Sequence, residues 1–147
     1  MLPENRSAAS PVGAAAWAEQ LAPSLADIET LAGHAFEELP PAFRELVGDI
    51  GFFVADFPDD EVLKELGLES PFDVLGLFHG VGLAHSLAVP PTGAAPNRIW
   101  LYRRPILDYW AEHDETLGAI VTHVLIHEIG HHFGLSDEDM EAIEAEA

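Results

Sequence analysis

The run His127-Glu128-Ile129-Gly130-His131-His132-Phe133-Gly134-Leu135-Ser136-Asp137 puts three imidazoles and two carboxylates within eleven residues. On a helix, positions i and i+4 differ by about 40° and lie one turn apart. His127 and His131 therefore project to one side and can share a zinc ion, each nitrogen about 2.0–2.1 Å from it. Glu128 sits near the edge of that face. It is too offset to be an easy ligand, but it can reach a water at the metal and take its proton as the water attacks a carbonyl.

A catalytic zinc needs three protein ligands and one open position. Asp137 is the nearest candidate for the third, six residues beyond His131 and so off the same helix face. A left-handed Gly134 would reverse the chain and let Asp137 swing back. Two residues compete with it. His123 lies one turn before His127, but three histidines on one straight stripe span about 12 Å of helix axis, too far for one ion. His132 points about 100° away from His131 and suits an outer donor or a surface position. The chain has no cysteine, so any metal must be held by imidazole and carboxylate, which favours zinc or a related first-row ion.

The elements that position these groups follow from periodicity. From Asp114 to about Phe133 the apolar residues Leu117, Ile120, Val121, Val124, Leu125, Ile129 and Phe133 cover most of the circumference, which predicts a buried helix. Gly130 is costly in mid-helix and allows another element to approach closely. Gly134 ends the helix and Ser136 starts a short acidic one. Upstream, helical spacing begins near Trp17, and Ser24 with Asp27 caps a helix carrying Ile28, Leu31, Ala32, Ala35, Phe36 and Leu39. Pro40-Pro41 ends it, and a short helix with Phe43, Leu46 and Val47 follows. Ile50 to Phe57 reads as a strand, Asp59 to Leu68 as a short helix, and Val74 to Val81 as a glycine-rich strand or tight bend. Val89 to Asn97 reads as a loop, and the two-residue alternation from Arg98 to Ile106 as a half-exposed strand. Residues 1–20 are expected to form a flexible tail and residues 21–147 a single domain, which suits a chain of 147 residues.

The formal charge is −20, from 26 acids against six cationic residues, so nucleic acid is a poor partner. Arg98, Arg103 and Arg104 sit close together, but three arginines in so acidic a chain are too few to grip a phosphate backbone. No segment approaches the roughly 20 apolar residues of a membrane helix. Nor does the N-terminus follow a signal-peptide pattern, so a cytoplasmic location without membrane contact is expected.

At His127 to Asp137 the chain resembles the zincin metallopeptidases with an extended His-Glu-x-x-His-x-x-Gly-x-x-Asp signature. Within them it is most similar to the minimal zincin-like family of small bacterial proteins. The likeness extends to Phe36-Glu37-Glu38-Leu39-Pro40, Leu75-Gly76-Leu77-Phe78-His79-Gly80 and the Ile99 to Arg104 stretch, covering roughly residues 25 to 140. It implies an α+β fold with a small mixed sheet over an active-site helix. It assigns His127, His131 and Asp137 as ligands of one zinc ion per chain and Glu128 as general base. It also implies that an edge strand lines the cleft and pairs with an extended peptide substrate, either the strand around Ile99 to Arg104 or the run near Gly76. Phe78 and His79 stand where the family leads one to expect a tyrosine and an acid. Met140 follows the signature too closely for a methionine turn and reads as a core residue of the last helix.

The chemistry implied is hydrolysis of a peptide bond by metal-activated water, with Tyr102, Tyr109, His113 or His85 as an additional oxyanion donor. Two alternatives use the same ligands. One is a non-catalytic metal-binding module, its fourth position closed by His123 or His79. The other is a hydrolase of a non-peptide amide or ester. The segment before about residue 20 and the acidic C-terminus could each cover the cleft.

Overall fold

The computed structural model describes residues 13–80 and 97–147. Ala14–Glu19 is a short, exposed helix (α1) inside the segment expected to be a tail. After Pro23 the expected capping box forms: the Asp27 N–H donates to Ser24 Oγ and the Ser24 N–H donates to Asp27 Oδ2, at 3.0 and 2.9 Å. It starts α2, Leu25–Glu37, whose Ile28 and Ala32 are buried. Pro41 takes the first turn of α3, Pro41–Val47, where a missing N–H costs nothing.

Strand β1, Ile50–Ala55, leads to α4, Asp60–Leu66, which is capped by the Asp59 carboxylate accepting from the Val62 N–H. A turn of 3-10 helix at Pro71–Asp73 precedes β2, Gly76–His79. Then come β3, Asn97–Tyr102, α5, Arg103–Glu112, α6, Leu117–His132, and α7, Asp137–Glu146. Val81, His85 and the expected loop from Val89 lie wholly or almost wholly outside the described residues. The result is an α+β fold whose described residues form a three-stranded mixed sheet in the order β1-β3-β2. The central β3 runs parallel to β1 and antiparallel to β2.

The strand expected from Arg98 to Ile106 stops at Tyr102, and the chain turns into a helix at Arg103. The ladder runs out here. The Tyr102 N–H donates to Leu75 O and the Arg104 N–H to Asp56 O, and Pro105 has no N–H to continue it. Pro105 instead sits in the first turn of α5, whose buried face carries Ile106. Arg103 is occupied within the chain: its Nε donates to Pro23 O and its guanidinium pairs with Asp56 at 3.0 Å. Arg104 lies 5.5 Å over the Phe57 ring.

The core forms where α2 and the sheet pack against α6, around Ile28, Ile99, Leu101, Leu125, Ile126 and Ile129, all fully buried. Helix α6 buries Ile120, Val121, Val124, Leu125, Ile126 and Ile129, a wide apolar face as its sequence predicts, and leaves Ala119, His123 and His131 exposed along one stripe. Strand β2 sits directly on it. A Cβ at Gly76 would fall 2.7 Å from Val124 Cγ1 and 3.0 Å from Trp100 O, so glycine is what lets strand and helix touch. Gly76→Ala is expected to cost about 1–3 kcal/mol through overpacking. Thermal melting should fall by about 3–10 °C, whereas Gly118→Ala, which meets nothing within 4 Å, should leave it unchanged or raise it.

Candidate metal centre

Helix α6 begins where Thr116 Oγ1 accepts the Ala119 N–H at 3.1 Å. Its apolar majority anchors it in the core, leaving one stripe, His123, His127 and His131, facing away from it. His127 and Glu128 are half-buried, while His123 and His131 are exposed. The helix ends as the sequence predicts. Gly134 has φ +76, its N–H donates to His131 O at 3.1 Å, and the Leu135 N–H donates to Gly130 O at 2.9 Å. This is a Schellman ending, which needs a left-handed residue at that position.

The reversal starts α7 at Ser136, whose Oγ accepts the Asp139 N–H at 3.0 Å. Asp137 is the first residue of α7, exposed at the helix end where the dipole favours a carboxylate. Helix α7 then packs back along α6. Met140 is fully buried, as expected of a core residue, and presses on Gly130, where a Cβ would lie 2.5 Å from its sulfur. The mid-helix glycine thus has its reason.

The hairpin of helices brings in a residue that spacing along one helix does not reveal. Glu144, near the end of α7, lies 3.4 Å from His127 Nε2 through Oε1 and 3.0 Å from His123 Nδ1 through Oε2. No spacing within the sequence signals it: the contact between Gly130 and Met140 sets the register of the two helices. Counting three residues back from the first and three or four on from the second puts His127 opposite Ile143 and Glu144. The rings of His123 and His127 stack with centroids 3.9 Å apart. Those of His127 and His131 meet edge-on at 6.0 Å. Among the described residues, His123, His127 and Glu144 each offer a donor atom within 4.8 Å of the others, and His131 and Asp137 stand outside that set.

The donor chemistry fits a zinc ion. Nε2 of His127 is fully buried and makes no hydrogen bond, although Glu144 Oε1 lies at an ion-pair distance of 3.4 Å. A buried polar atom without a hydrogen bond costs about 1–3 kcal/mol, and a cation between the imidazole and the carboxylate would satisfy both. The surrounding donors are imidazole and carboxylate, which suit zinc.

A cleft of about 340 Å³ runs along this part of α6. Asp73 and Leu75 line it on the approach to β2, Tyr109 on α5, and Glu115 just before α6. His123, His127 and Glu128 form its α6 wall. Burial pushes the Glu128 carboxyl above its usual pKa, against a smaller lowering by the neighbouring His131. Tyr109 belongs to the cleft, with its ring stacked on His113 at 3.7 Å. Tyr102 is buried beside Asp59 in a separate cavity, where burial raises its pKa to about 12. His79 lines that same cavity and not the cleft with His127. His132 packs edge-on against Phe78, centroids 4.7 Å apart, which is an aromatic role. Of the two strands expected to offer an edge, β3 is paired on both sides, and among the described residues β2 lies at the margin of the sheet.

Among the described residues no helix is long and apolar enough to cross a membrane. No curated protein matches the chain. A family model for zincin-like metallopeptidases matches residues 47–147, taking in the sheet, α5 and both helices of the histidine hairpin, and on that match the chain belongs to the zincin-like metallopeptidase family.

Proposed function

We propose that the protein is a zinc-dependent metallopeptidase. His127, His131 and Asp137 hold one zinc ion per chain, and Glu128 is the general base. The observation that carries this reading is the buried Nε2 of His127, without a hydrogen bond, beside Glu128 in the cleft wall. When bound, zinc supplies Lewis acidity to a carbonyl and acidity to water.

The protein's own groups do the rest. Glu128 accepts the proton from the attacking water and later hands it to the leaving amine. Its raised pKa makes it a stronger base than an exposed carboxylate. The Tyr109 hydroxyl is the oxyanion donor in this reading, being the one candidate of the four that lines the cleft with Glu128 among the described residues. An extended peptide pairs with the margin of β2, next to Leu75, which lines the cleft. The cleft wall carries Asp73, Glu115 and Glu128 and no lysine or arginine, which favours basic residues near the scissile bond.

The test is hydrolysis by tag-free, zinc-loaded protein of a mixed peptide library, read by mass spectrometry, with ester and non-peptide amide substrates alongside. Peptide cleavage that disappears in Glu128→Gln supports the reading. Bound zinc without hydrolysis of any substrate points to a metal-binding module. Turnover restricted to esters or non-peptide amides points to the other hydrolase class.

A further inference from the structure

The carboxylate of Glu144 lies within ion-pair distance of two histidines, yet a hydrogen bond forms to only one of them. Nδ1 of His123 lies 3.0 and 3.2 Å from the two oxygens of Glu144, and both side chains keep access to solvent. A His–Glu pair at such a position needs no further partner and contributes little. His127 differs. Its Nε2 is sealed from solvent, points toward the same carboxylate at 3.4 Å, and forms no hydrogen bond.

We propose that His123, His127 and Glu144 form a second divalent-cation set that shares His127 with the catalytic one. The proposal rests on the zinc reading of His127 given above. A tetrahedral ion with bonds of about 2.0–2.2 Å holds its ligand atoms about 3.4 Å apart. The spacings from Glu144 to the two rings, 3.0 and 3.4 Å, are near that value, and the donors of all three residues lie within 4.8 Å of one another. Only small side-chain adjustments separate this arrangement from a ligand shell. Two imidazoles and one carboxylate select zinc, cobalt, nickel or copper over calcium and magnesium, which take oxygen shells.

The scaffold holds the set in place. The close contact of Met140 with Gly130 and the Schellman turn at Gly134 keep α7 aligned on α6, so Glu144 arrives opposite His127. One ring nitrogen binds one ion at a time. A cation on His123, His127 and Glu144 therefore leaves His131 and Asp137 without His127, and the two sets are alternatives. The second shifts the metal along α6 toward His123 by at most about 4 Å, since both positions lie about 2 Å from the same nitrogen of His127, and brings it under the carboxylate of α7. It can store the ion without arming the catalytic position.

The test is zinc affinity, measured by competition with a chromophoric chelator, with far-UV circular dichroism to verify folding. His131→Ala/Asp137→Ala alters two exposed residues and removes only the catalytic set's own ligands. This double variant should bind zinc more weakly than wild type but still take up about one equivalent. Adding Glu144→Gln, or His123→Ala, should weaken it by at least about a further tenfold, the size of even an outer-shell contribution. No uptake by the double variant, or an affinity unchanged by both added substitutions, would overturn the proposal and leave the catalytic assignment standing. If wild-type zinc is instead lost in Glu144→Gln and His123→Ala but kept in the double variant, this site stands and the catalytic ligand assignment falls. Absence of zinc from every form removes both.

Discussion

Glu128→Gln should lower peptide hydrolysis by about a thousandfold while leaving the bound zinc in place. The magnitude is that of a lost general base, about 10²–10⁴. Glutamine keeps the size of the side chain and its hydrogen-bonding reach, so the half-buried position next to His127 stays filled. What it loses is the ability to accept a proton. The environment makes that loss matter, since burial raises the Glu128 pKa and so its basicity, with His131 only partly offsetting the effect. The substitution should reduce kcat far more than it changes KM, because a proton acceptor acts in the transition state and not in substrate binding. A variant that keeps both its zinc and near-wild-type turnover would remove Glu128 from the mechanism.

Stripping the metal with a chelator should lower the melting temperature of the wild type by about 10 °C or more. An ion that binds only the folded chain, present at about a thousand times its dissociation constant, contributes about 4 kcal/mol. For a chain of this length that amounts to about 10 °C or more. The structural reason is the hairpin of α6 and α7. It is held by the Schellman turn, by Met140 on Gly130 and by Glu144 at the histidine stripe, and an ion on His127 ties the same elements together. His127→Ala should melt near the apo protein and be insensitive to chelator. Equal melting of wild type with and without chelator, in protein shown to carry zinc, would show that the ion adds nothing to the fold.

What the sequence made legible is what depends on local rules. The spacing of His127, Glu128 and His131 follows from helical geometry alone, and the apolar positions of 117–133 predict the burial of that helix. Gly134 is left-handed because the chain must reverse there, Gly130 is small because Met140 occupies its space, and Ser24 and Asp27 form the predicted box. The misses depend on pairing between elements. Helix α5 was hidden because the alternation of 98–104 continues past the point where the ladder runs out, although Ile106, Leu107 and Trp110 already had helical spacing. The margin of the sheet could not be chosen without the strand order, which among the described residues puts β3 in the middle and β2 at the edge. Glu144 is far from the signature in sequence and reaches His127 only through the antiparallel packing of two helices. One ion cannot span all three histidines of the stripe, but His123 and His127 are neighbours that a carboxylate from another helix approaches together.

The central claim is that this fold carries a zinc ion on the histidines of α6. It is tested most directly by elemental analysis of protein purified without added metal or a polyhistidine tag, as wild type, His131→Ala and Asp137→Ala. The account predicts about one zinc per chain in the wild type and a reduced or more readily lost content in both variants. A wild type with no bound metal and no uptake on adding zinc would contradict it and leave an acidic protein whose histidines serve packing alone.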